Sequence, residues 1–254
     1  MDLPVNRFKA ALAKGERQIG FWCQMADPGG IELLAGAGFD WLMIDTEHSP
    51  INHRSVVPLL HAAAAYPVSM VVRPGSLDPA EMKKLMDGGV QTLLVPFVQN
   101  ADEARQAAEA VAYAPQGIRG MAGLSRGARY GTIPNYFARA RDEICLIVQI
   151  ETQSALDDLD DICATPGVDA VFVGPADLAA SLGYLGEPGH PEVRAVVKDA
   201  VRRIRAAGKP AGFLSPDTGY AQEVADAGAN FIAVGIDQHV LRQGALGLVS
   251  HWKG

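Results

Sequence analysis

No apolar run in the 254-residue chain approaches the length that crosses a bilayer. Residues 1–9 also lack the basic stretch followed by an apolar one that marks a secretory signal. Neither a membrane partner nor export is expected. Cysteine is scarce. Cys23, Cys145 and Cys163 are odd in number, and the first two fall inside apolar runs where they act as small hydrophobes, which suits a reducing cytoplasm. Positive charge is not in excess, the net charge being −7, so nothing invites nucleic acid as a partner. Gly-x-Gly-x-x-Gly, the P-loop and His-Glu-x-x-His are all missing. That argues against a dinucleotide, a nucleoside triphosphate or a zinc-protease site, and no organic cofactor is expected. The lysines, Lys9, Lys14, Lys83, Lys84, Lys198, Lys209 and Lys253, all lie away from the C-terminal ends of the strands assigned below, so Schiff-base chemistry is not expected either.

What is present is a 48% hydrophobic chain of a length that builds one large core. A weak repeat runs through it: segments 35–45, 86–96, 165–174 and 225–235 each place Gly at a helix end, then a polar residue, then a short apolar strand. Such strands, rich in β-branched residues and almost without alternation, read as buried on both faces of a parallel sheet. Strands are expected near 18–24, 41–45, 68–73, 91–96, 145–150, 169–173, 210–214 and 230–234, and helices over 30–37, 53–65, 78–87, 101–113, 152–163, 191–207, 217–227 and 238–249. Eight alternating units predict an α/β fold of the (β/α)8 type, one domain over residues 1–254. A doubly wound open sheet is the alternative. The Gly- and Arg-rich segment 117–131 reads as functional or as a subunit contact, and 181–191 as a lid or an ordinary long loop.

Reactive groups of such a barrel sit at the C-terminal ends of its strands. Glu151 and Asp177 follow consecutive strands there. Two carboxylates at the rim of an apolar core repel one another unless a cation lies between them. Two oxygen ligands plus water suit Mg²⁺ or Mn²⁺ better than zinc; the alternative is a pair of helix-start carboxylates. His48 follows Asp45 by three residues, and a carboxylate accepting from its ring N–H would raise its basicity, as a general base requires. The alternative is a surface or capping histidine. Arg73 is held by Pro74 and Gly75 at a strand end, placed for a carboxylate or a developing oxyanion, or for a salt bridge to Asp45 or Glu47.

Four motifs in order, Asp45-x-Glu47-His48, Val72-Arg73-Pro74-Gly75, Gln149-Ile150-Glu151-Thr152 and Val173-Gly174-Pro175-Ala176-Asp177-Leu178 with Ser181 beyond, resemble the HpcH/HpaI family of class II pyruvate-dependent aldolases over essentially the whole chain. The resemblance implies Mg²⁺, Mn²⁺ or Co²⁺ held by Glu151 and Asp177, with pyruvate or its enolate chelated to the metal. It implies Arg73 on the enolate oxygen, His48 paired with Asp45 as the acid/base group, and Gln149 as a polar substrate contact. It places the pyruvate carboxylate on backbone N–H groups near Ala176 and Asp177, with Gly174 and Pro175 among the substrate-binding residues and Trp22 lining the pocket. Acceptor-facing residues are expected in 117–131 and around Phe213 and Leu214. It further implies homohexamers, trimers of dimers that exchange the helix after Asp237, in keeping with apolar Val240, Leu241, Leu246 and Val249. The activity implied is reversible cleavage of 4-hydroxy-2-oxo acids to pyruvate and an aldehyde. The rival readings are an acyl-CoA lyase of the malyl or citramalyl type and a non-catalytic barrel that binds 2-oxo acids.

Overall fold

A computed structural model describes residues 1–25 and 27–253. Eight parallel strands close a barrel in the order of the chain: β1 (Gln18–Cys23), β2 (Trp41–Asp45), β3 (Ser69–Arg73), β4 (Thr92–Val95), β5 (Cys145–Ile150), β6 (Ala170–Val173), β7 (Ala211–Leu214) and β8 (Phe231–Ile236). The helices are α1 (Arg7–Ala13), α2 (Pro28–Ala35), α3 (His53–Ala63), α4 (Pro79–Asp87), α5 (Ala101–Ala110), α6 (Tyr136–Arg139), α7 (Gln153–Asp157), α8 (Leu159–Ala164), α9 (Pro175–Ser181), α10 (Pro191–Ala206), α11 (Thr218–Asp226) and α12 (Asp237–Lys253). The fold is a (β/α)8 barrel, and all eight expected strands lie within a residue or two of their expected bounds.

Helix starts are set by short polar side chains that take up orphan amides. Asp27, Asn52, Asp78, Asn100 and Asp217 each accept from a first-turn N–H. Along each strand successive side chains face opposite ways. One set, with Leu42, Val72, Val148 and Phe213, packs against the helices; the other, with Trp41, Met43, Ile147, Phe172 and Phe231, fills the barrel. The filling is tight enough to dictate residue type. A Cβ at Gly20 would lie 2.0 Å from the Trp41 ring, so glycine there makes room for an indole.

The sequence reading did not contain α1. Its Phe8 is wholly buried, 5.8 Å from the Trp41 ring and 5.6 Å from the Phe231 ring, and it closes the N-terminal end of the barrel. With Phe8 plugging that end, the barrel interior is reached from the C-terminal end of the strands. α12 is the opposite case: none of its residues is buried, and Val240, Leu241, Leu246 and Leu248 are 47–65% exposed. No helix among the described residues is long and apolar enough to cross a membrane.

Candidate active site

The open end holds a cavity of about 490 Å³. Strand register explains its floor. Asp45 pairs with Arg73 across β2 and β3, so both inward-facing side chains meet at one level. Likewise Gln149 pairs with Phe172 across β5 and β6, which brings Glu151, two residues on, level with Gly174.

Arg73 is held on three sides. Its Nε and Nη2 donate to the two oxygens of Asp45 at 2.9 and 2.6 Å. Its Nη1 lies 2.8 Å from Glu47 Oε2, and its Cζ stands 4.8 Å from the centre of the Trp22 ring. Asp45 is fully buried and also accepts from Trp22 Nε1 at 3.1 Å and Gln24 Nε2 at 3.0 Å. Burial alone would raise its pKa, but the hydrogen bonds and charge of Arg73, with those of Gln24 and Trp22, outweigh that and hold the carboxyl at about 2. Asp45 thus fixes the direction of the guanidinium, whose second Nη hydrogens are free to donate toward the cavity.

The expected hydrogen bond from the His48 ring to Asp45 is not formed. Asp45 is filled by Arg73, Trp22, Gln24 and the backbone amides of Glu47 and His48. A fork-shaped guanidinium on the neighbouring strand competes better for a buried carboxylate than an imidazole three residues along the same turn. The His48 side chain is 58% exposed on the rim, and its Nε2 lies 3.8 Å from Glu47 Oε2. It still lines the cavity.

Across the floor, Glu151 is 3% exposed. Its Oε1 accepts from Gln149 Nε2 at 2.6 Å and its Oε2 from the Phe97 backbone N–H at 2.9 Å. Burial raises its pKa to about 7, the Phe97 amide and Arg73 opposing, the charges of Glu47 and Asp177 adding to the rise. The Asp177 side chain enters from the first turn of α9, beside the amides of Ala176 and Asp177 that have no intrahelical acceptor. A buried carboxylate near Asp177, beside the unpartnered Oε1 of Gln149, is a set of hard oxygen donors. The residues therefore fit a divalent metal held by Glu151 and Asp177 with the rest of its shell left to water or substrate. Among the described residues no cluster of three or more His, Cys, Asp or Glu side chains forms, so any such metal has at most these two carboxylates.

Of the other expected site residues, Trp22, Gln149, Gly174, Pro175, Ala176, Asp177 and Leu214 all line the cavity. Phe213 does not: it is fully buried against Tyr220 in the layer under the helices. Adjacent residues of one strand cannot both face the barrel, and Leu214 takes the inward place. Segment 117–131 is also elsewhere. Arg126 donates to the Gly88 carbonyl at 2.7 Å and to His61 at 3.1 Å, and Arg119 is buried against Asp87 at 3.1 Å. These contacts are at the C-terminal ends of α3 and α4, which is the closed end of the barrel, so in one chain no residue of 117–131 lines the cavity. The cavity wall is completed by Pro188, Gly189, Ser215, Pro216 and Ile236. From the sequence Gln24 has no role, and Glu47 appears only in the Asp45-x-Glu47-His48 motif and as a salt-bridge partner of Arg73. Both sit within two residues of a strand end, the one signal that marked them.

An open-ended (β/α)8 barrel with acidic side chains and a clamped arginine around a cavity at its mouth is the arrangement of an enzyme that acts on a small molecule. The family model described as HpcH/HpaI aldolase/citrate lyase matches residues 18–244. A hydroxypyruvate/pyruvate aldolase of Sagittula stellata is 53% identical over 99% of this chain and 100% of its own length. A 4-hydroxy-2-oxo-heptane-1,7-dioate aldolase of Salmonella heidelberg is 49% identical over 97% and 94%. The crystal structure of a HpcH/HpaI aldolase/citrate lyase family protein from Burkholderia cenocepacia superposes with a TM-score of 0.94 at 35% identity, covering 98% of this chain and all of that one. The chain belongs to the HpcH/HpaI aldolase/citrate lyase family and is a carbon–carbon lyase of the aldolase class.

Proposed function

We propose that this protein is a divalent-metal-dependent aldolase that reversibly cleaves 4-hydroxy-2-oxo acids to pyruvate and an aldehyde through a pyruvate enolate. The observation that carries the reading is the pairing, on one cavity floor, of the buried Glu151 carboxylate with a guanidinium clamped by Asp45. Mg²⁺, Mn²⁺ or Co²⁺ held by Glu151 and Asp177 would, when bound, polarise the 2-oxo group as a Lewis acid. Arg73 donates its free Nη hydrogens to the same oxygen as negative charge collects there on C3–C4 cleavage. Gln149 and the first-turn amides of α9 orient the carboxylate end, and Trp22 and Phe172 keep the floor dry. His48 stands on the rim where the 4-hydroxyl proton must leave, and returns a proton to C3 of the enolate. Its neighbour Glu47 is the carboxylate nearest its ring.

Pyruvate release, coupled to lactate dehydrogenase, tests the reading on a panel of 4-hydroxy-2-oxo acids. Hydroxypyruvate aldols belong in the panel because of the Sagittula stellata relative. Release is expected with added metal and not after exhaustive chelation. His48→Ala is expected to lose turnover while still binding pyruvate and metal; a non-catalytic binding barrel would release nothing from any member.

The protein is further proposed to be a cytoplasmic homohexamer, a trimer of dimers that exchange α12. The support is a 17-residue helix with no buried residue and with Val240, Leu241, Leu246 and Val249 each about half exposed, more apolar surface than a helix leaves to water. Deleting residues 238–254 is expected to lower the mass measured by light scattering to a smaller assembly. An unchanged mass would rule the exchange out.

A further inference from the structure

Phe97, just past β4, has φ +57°, a left-handed backbone that a bulky residue adopts only when its surroundings force it. Its ring does not repay that strain, being about half exposed. What the conformation does is turn the backbone. Along an extended strand successive amides point to opposite sides, whereas here two in a row face β5: Val98 N–H donates to the Gln149 carbonyl at 3.1 Å, and Phe97 N–H to Glu151 Oε2 at 2.9 Å. Gln149 Nε2 holds the other oxygen at 2.6 Å. Each carboxylate oxygen of Glu151 therefore has one fixed donor and keeps its remaining lone pairs for a cation.

Resting on the reading of Glu151 as a metal ligand, we propose that Phe97 is a positioning residue of the metal site, acting through its left-handed backbone and N–H rather than through its ring. The test is Mn²⁺ affinity by titration calorimetry, with metal-free melting as the check on folding. Phe97→Val, whose β-branch disfavours φ > 0, is expected to weaken Mn²⁺ binding about 10- to 100-fold, the scale for losing an outer-shell hydrogen bond. Phe97→Gly and Phe97→Asn, which tolerate the left-handed region, are expected within about threefold of the parent. Should the valine variant not fold, an amide-to-ester replacement at Phe97 removes the donor alone and is expected to give the same loss. The proposal is overturned if valine or the ester binds Mn²⁺ as the parent does, or if glycine loses as much as valine. Glu151→Gln separates the two readings. If it binds Mn²⁺ like the parent, Glu151 is no ligand and both fall; if it alone loses binding, only the role of Phe97 falls.

Discussion

Arg73→Lys is expected to lower turnover at least about 10²-fold, the scale seen when one oxyanion stabiliser is removed, while Mn²⁺ affinity changes little. The charge is kept, so any loss reports geometry. The guanidinium fills both Asp45 oxygens and reaches Glu47 with three different nitrogens, and it lies over the Trp22 ring. A single ammonium on a flexible stem cannot meet Asp45 twice, Glu47 once and the enolate oxygen together. It will settle on the buried Asp45, whose carboxylate is the costliest to leave unpaired. The enolate oxygen then loses its protein donor. Steady-state kinetics beside calorimetric metal binding check this, and a lysine variant with parental kcat would show that Arg73 serves the fold only.

Gly174→Ala is the second large effect, from a single added methyl. Gly174 has φ −87°, so nothing in its backbone calls for glycine. A Cβ would stand 2.6 Å from both Gln149 Nε2 and Glu151 Oε1 and 2.9 Å from Glu151 Cγ. Both side chains are buried and tied to each other, so the added carbon pushes the carboxylate off its position. Misplacing a reacting group by about 1 Å costs on the order of 10²-fold in rate. The expected outcome is a loss of turnover of about that size, with weakened Mn²⁺ binding and a melting temperature near the parent's. Unchanged kinetics would mean that Glu151 has room to move.

Much of this arrangement was legible in the chain because barrels obey two periodicities. Short β-branched runs alternate with helical segments, and the residue just after each run lands at the mouth. On that basis Asp45, Arg73, Gln149, Glu151 and Asp177 could be placed together before any coordinates. What failed did so for physical reasons. Phe213 and Leu214 were both expected in the pocket, yet a strand points neighbours to opposite faces and only Leu214 faces in. Asp45 and His48 are close in sequence, which says nothing of the stronger competitor, Arg73, one strand away. Segment 117–131 has the glycines and arginines of a functional loop, but composition does not tell which end of the barrel a loop caps. α1 is a seven-residue helix with one aromatic, Phe8, too short for periodicity to register, and it matters only because the barrel floor is open without it. The role of Phe97 rests on a dihedral angle that no residue pattern encodes.

In the proposed reaction, paired carboxylates and a clamped guanidinium make the pyruvate enolate accessible. Exchange of pyruvate methyl protons for deuterium, followed by NMR in D₂O with no aldehyde present, measures that step alone. Exchange is expected with Mg²⁺ or Mn²⁺, none after exhaustive chelation and none with Glu151→Gln. Exchange that survives chelation, or borohydride trapping of a lysine adduct during it, would contradict the account.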